Sequence, residues 1–141
     1  MKNLHVLLIE DNEGDILLAS EALEEGLNIK NISVAKNGKD AVLFFKSNKD
    51  NAKDLPDIVL LDINLPIKNG FEVLEYIRNT EELENIPVII LTTSSLENDK
   101  NTAKNYGANL YIIKPMEAAE YETALENIKE FWINFKNNSS K

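Results

Sequence analysis

Three acids, Glu10, Asp11 and Asp62, stand directly after short runs of Val, Ile and Leu. So do a hydroxyl pair, Thr92 and Thr93, and a lysine, Lys114, that precedes Pro115. Carboxylates brought to one place repel and raise one another's pKa unless a cation intervenes. A hard divalent ion with oxygen ligands is the simple solution. Mg2+ suits it, because that ion takes a few carboxylates, keeps several waters and leaves room for phosphate oxygens. A carboxylate in such a place can act as a nucleophile and form an aspartyl phosphate. Lys114 would neutralise part of the added charge, and the Thr92 hydroxyl could donate a hydrogen bond to it. Singly, each residue has a plainer role. A strand-end acid often caps a helix, and Glu10 and Asp11 precede one, where acids meet the positive end of the dipole. The coincidence of four strand ends argues for one shared site.

The elements that must bring these residues together are legible. Apolar runs at residues 4–9, 32–35, 57–61, 88–91 and 110–113 barely alternate with polar residues, as strands buried on both faces do. Between them lie segments with helical spacing, marked by Ile16, Leu23 and Leu27, by Ala41, Phe44 and Phe45, and by Phe71, Leu74 and Ile77. A weak polar helix carries Leu96, Ala103 and Tyr106, and a last helix is expected over 117–135. Strand–helix alternation repeated five times predicts an α/β domain, a parallel sheet with helices on both faces and right-handed crossovers. Ligands of such sheets sit beyond the carboxyl ends of the strands, where the chemistry-bearing residues fall. Residues 47–55 read as a charged loop. The domain is expected to span 1–136, with 137–141 a disordered polar tail.

The chain has 141 residues, enough for one domain with a real core, and a formal charge of −9. That charge disfavours nucleic acid and anionic membrane as partners. There is no cysteine, so disulfides, thiolate metal sites and cysteine nucleophiles are excluded. The apolar run after Met1 is too short for a signal peptide or a membrane span, which predicts a cytoplasmic protein.

Several stretches resemble the response-regulator receiver family: Glu10-Asp11-Asn12, the segment from Leu60 through Asp62, Asn64 and Pro66 to Gly70, then Leu91-Thr92-Thr93, Gly107-Ala108 and Lys114-Pro115. The resemblance covers nearly the whole chain. It implies the flavodoxin-like (βα)5 fold, a five-stranded parallel sheet in order 2-1-3-4-5. It also implies a two-component phosphorelay switch rather than a conventional enzyme. Such a switch labels itself from small phosphodonors and loses the phosphoryl group spontaneously. By the resemblance Asp62 is the phosphoacceptor. Glu10, Asp11, Asp62 and the Asn64 backbone carbonyl form the metal site, with Asp11 binding Mg2+ directly and Glu10 through water. Thr92 is the switch hydroxyl, Lys114 the phosphate-binding lysine, and Tyr111 the aromatic switch residue. Pro66 and Gly70 shape the loop after the third strand. The stretch from Glu10 to Asp15 and the ending Glu130-Phe131-Trp132 resemble single-domain regulators paired with bacterial phytochrome histidine kinases. The implied partners are a sensor histidine kinase and a downstream protein or histidine phosphotransfer module.

Other features have a structural reading beside the functional one. His5, the only histidine, is expected to be structural. Tyr121, Leu125, Ile128 and Trp132 form a core stripe on the last helix. Phe131, Trp132 and Phe135 come where the sheet should have run out, on a face expected to adjoin Tyr111, and clustered exposed aromatics mark interfaces. A homodimer through them is the expectation. Two rivals stand beside the switch: a flavodoxin-like ligand-binding module, for which no Gly-rich phosphate loop follows the first strand, and an aspartyl-phosphate phosphohydrolase, which needs a second acid where Asn64 stands. A module of the same fold that works without phosphate is a third.

Overall fold

The protein is described by a computed structural model covering residues 3–139. Strand β1 (His5–Ile9) leads into α1 (Glu13–Glu21) and a π turn (Ala22–Gly26). Then come β2 (Asn31–Ala35), α2 (Gly38–Asn48), β3 (Ile58–Leu61), α3 (Gly70–Arg78), β4 (Val88–Thr92), α4 (Glu97–Asn105), β5 (Leu110–Ile113) and α5 (Tyr121–Ser139). All four strand pairings are parallel, and the sheet order is 2-1-3-4-5.

The near-continuous apolar runs fill both faces of the sheet. Val6, Leu8, Leu60 and Leu91 point to one cluster, closed by Leu23 of the π turn and by Tyr121, Leu125 and Ile128 of α5. Leu7, Ile9, Leu61 and Ile90 point to the other, closed by Phe45, Leu74 and Ile77 of α2 and α3. Each fully buried Leu or Ile contributes roughly 1.5–3 kcal/mol relative to exposure. His5 ties β1 to its surroundings, through Nε2 to Ser33 Oγ at 2.8 Å and Nδ1 to the Leu55 carbonyl at 3.3 Å. Among the described residues no helix is long and apolar enough to cross a membrane.

Two boundaries and one helix face differ from the sequence reading. The expected loop over 47–55 begins inside α2 and holds a short 3-10 turn at Ala52–Asp54. Of the three apolar positions read on the fourth helix, only Ala103 is buried; Leu96 and Tyr106 are exposed. Helix α5 continues through Ser139, past the expected boundary at 136, and residues 140 and 141 of the expected tail lie outside the described residues.

Candidate functional site

Backbone hydrogen bonds carry the sheet ladder one residue beyond the strands and so fix the site residues. Glu10 N donates to the Ala35 carbonyl at 3.0 Å, Asp62 N to Ile9 at 3.0 Å, and Lys114 N to Thr92 at 2.7 Å. Asn12 then caps α1, its side chain accepting from Asp15 N at 2.9 Å, so the chain turns sharply after Asp11. On the far side, Gly70 opens α3 against the strand-end backbone. A Cβ there would lie 2.5 Å from the Asp62 carbonyl oxygen and from Ile63 Cα, a contact only glycine avoids.

One carboxylate oxygen from each of Glu10, Asp11 and Asp62 lies within 4.8 Å of the others. Glu10 and Asp62 are buried and Asp11 is exposed, so the group opens to solvent on one side. Lys114, itself buried, reaches into the group. Its ammonium pairs with Glu10 and lies 3.0 Å from Asp62 Oδ2 and 3.0 Å from Asp15 Oδ2. The other oxygen of Asp62 accepts from Asn64 N at 3.1 Å.

Burial pushes the Glu10 carboxyl up to about 7, with the Asp62 charge adding to it and the bond from Lys114 opposing it. Burial alone would depress the Lys114 ammonium. Its bond to Glu10 and the charges of Asp62 and Glu10 more than offset this and hold it above the usual lysine value. One ammonium thus faces an excess of carboxylate charge. Hard oxygen donors with uncompensated negative charge fit a hard divalent cation.

Thr92 is fully buried at the end of β4, and its Oγ1 accepts from Ser94 N at 3.4 Å. Tyr111 packs on the α2–α3 side of the sheet and donates from its hydroxyl to the Ser94 carbonyl at 2.8 Å. Ser94 also donates to Asp99 Oδ2 at 2.6 Å. The structure therefore brings Glu10, Asp11, Asp62 and Lys114 together and joins Thr92 and Tyr111 through one loop residue.

The three late aromatics lie elsewhere. Phe131 is ten residues past Tyr121, roughly 15 Å along the helix at 1.5 Å per residue. Phe131 and Trp132 pack against the α1–α5 core cluster, on the opposite face of the sheet from Tyr111 rather than beside it. The sequence reading treated the sheet as their only cover. The π turn that prolongs α1 packs alongside α5 and supplies the rest. Phe135 stacks on both, at 5.7 Å from Phe131 and 5.9 Å from Trp132, and all three are half-buried.

Three site neighbours escaped the sequence reading: Asp15, Tyr121 and Ser94. Asp15 sits in the first turn of α1, and its partners Lys114 and Tyr121 come from the other end of the chain. Tyr121 was legible only as part of the core stripe.

The response regulator receiver domain family matches residues 6–126. The probable methanogenesis regulatory protein FilR2 of Methanothrix harundinacea is 36% identical over 128 residues, 91% of this chain and 83% of that protein. The Mn2+-bound form of response regulator Rcp1, from Synechocystis sp., matches with a TM-score of 0.80 and 31% identity over 92% of this chain and 94% of that one. The phosphorylated cyanobacterial phytochrome response regulator RcpA matches with a TM-score of 0.83 and 34% identity, over the same 92% and 94%.

Proposed function

This chain belongs to the response regulator receiver domain family, the phosphorylated receivers of two-component signalling, and from that premise we propose that Asp62 is its phosphoacceptor. The observation that carries the reading is the Lys114 ammonium, 3.0 Å from Asp62 Oδ2, inside a group of three carboxylates.

A carboxylate oxygen of Asp62 attacks the phosphorus of a phosphohistidine on a sensor kinase. The O–P bond forms as the P–N bond breaks, and the electron pair leaves on the imidazole nitrogen, which takes up a proton. Lys114 meets the charge that gathers on the phosphoryl oxygens. Asp11, Glu10, Asp62 and the Asn64 carbonyl are the groups that would hold a divalent cation. We assign Mg2+, which when bound neutralises phosphoryl charge and lets the anionic donor approach. The Mn2+-bound state of Rcp1 supports a divalent-cation site, and the phosphorylated state of RcpA supports a phosphoacceptor role. The same groups serve small phosphodonors and slow hydrolysis of the aspartyl phosphate.

Thr92 turns from Ser94 to the new phosphoryl group, and Tyr111, bonded to the same Ser94, repacks in response. Beside Tyr111 runs a groove of about 430 Å3 lined by Lys100, Ile112, Ile113, Ala124 and Asn127, where a downstream protein would read the change. The kinase is of the phytochrome type by analogy with RcpA. A histidine phosphotransfer module is the alternative downstream partner. A second copy of the chain is the occupant we assign to the half-buried strip of Phe131, Trp132 and Phe135.

Intact-mass measurement after incubation with acetyl phosphate tests the reading. We expect one added phosphoryl group with Mg2+, none with EDTA and none in Asp62→Asn. Undiminished labelling of Asp62→Asn would overturn the assignment.

A further inference from the structure

The side chain of Lys114 is almost fully enclosed, so its three N–H donors must find partners inside the protein. They find Glu10, Asp62 and Asp15. The first two belong to the carboxylate group that would hold a cation, and Asp62 would carry the phosphoryl group. Both therefore change partners during the reaction. Asp15 lies outside that group. It is the one partner left to hold the ammonium in place while the others turn to metal and phosphate.

Asp15 is itself firmly held. Its backbone N–H is tied to the Asn12 cap, and its Oδ1 accepts from the Tyr121 hydroxyl at 2.9 Å. Tyr121 opens α5 and is buried in the core, so the hydroxyl has a fixed position. Burial and the Asp15 charge raise the Tyr121 pKa, which keeps it a donor throughout the neutral range. The chain Tyr121–Asp15–Lys114–Asp62 thus runs from the first turn of a packed helix to the acceptor oxygen.

We propose that Asp15, held by Tyr121, is a positioning residue that orients Lys114 for phosphoryl transfer to Asp62. The proposal rests on Asp62 being the phosphoacceptor and adds two residues to the machinery. Asp15 acts through Lys114 and does not touch the phosphoryl group.

The test measures the rate constant for labelling by acetyl phosphate at saturating Mg2+, so that changes in metal affinity drop out. Asp15→Asn keeps the shape and the acceptor for Tyr121 but loses the charge. It should label about tenfold more slowly, as removal of an orienting outer partner does at metal sites. Tyr121→Phe keeps the ring and should slow labelling about fivefold, the worth of one hydrogen bond. The double variant should be no slower than Asp15→Asn, because Tyr121 acts through Asp15. Asp15→Glu, which restores the carboxylate, should recover part of the loss. Rates for Asp15→Asn equal to or above wild type would overturn the proposal, as would additive losses or no recovery in Asp15→Glu. If wild type itself takes no label, the phosphoacceptor reading fails first; if wild type labels normally and only these expectations fail, that reading stands and the role of Asp15 does not.

Discussion

Glu10 is the residue whose charge state the site controls most closely. Its carboxyl is raised to about 7 by burial, with the Asp62 charge adding to the effect. An acid whose folded pKa lies above its unfolded value binds more protons in the folded state. Metal-free protein should therefore lose stability as pH rises from the ordinary carboxylate range through about 7. Metal binding has the opposite sign, since the ion needs the carboxylate ionised. Between pH 6 and pH 8 the ionised fraction of such a group changes about tenfold, so Mg2+ affinity should rise by up to about that factor. Titration calorimetry at the two pH values checks this, with Glu10→Gln as control. A flat profile in wild type, or the same slope in Glu10→Gln, would show that Glu10 does not govern the metal.

The loop between β3 and α3 shapes the acceptor and stores strain. Ile67 has a φ of +69°, the left-handed region that a β-branched residue avoids, and it is exposed, so packing does not repay the cost. Ile67→Asn, a residue that tolerates this conformation, should raise stability by about 1 kcal/mol. Urea unfolding should show a higher midpoint at an unchanged slope; an equal or lower midpoint would mean that the loop carries no strain at Ile67.

The same element level shows why some of the fold was legible and some was not. The five strands could be read because burial on both faces demands unbroken apolar runs, and strand-end chemistry then fell out of topology. The core stripe of α5 was visible as Tyr121, Leu125 and Ile128 at helical spacing. The π turn at Ala22–Gly26 leaves no periodic signature, and without it the cover over Phe131 and Trp132 could not be foreseen. Asp15 could not be singled out, because its partners, Lys114 and Tyr121, are about a hundred residues away in sequence. Long-range pairs of this kind carry no local signal.

At the scale of the molecule, a charge added at one end of the sheet has to be read through contacts with another chain. The strip of Phe131, Trp132 and Phe135 keeps part of three rings in water, and a two-fold pairing would bury each strip against its own copy. We expect a homodimer at micromolar concentration. Trp132→Glu should shift it toward monomer by placing like charges across the interface, though at some cost in stability because Trp132 also packs on the core. Sedimentation velocity on both proteins decides it: a monomeric wild type, with or without phosphate, would leave the strip a purely intramolecular contact.

Everything else depends on which oxygen takes the phosphoryl group. An aspartyl phosphate is an acyl phosphate, and borohydride reduces it to homoserine at the residue that carried it. Wild-type protein labelled with acetyl phosphate in Mg2+, reduced and digested, should yield homoserine at position 62 and at no other acid, with none after EDTA. Homoserine at Asp11 or Asp15, or the one-carbon-longer hydroxynorvaline at Glu10, in place of homoserine at Asp62, or no reduced residue at all in protein that had gained the phosphoryl mass, would contradict the assignment.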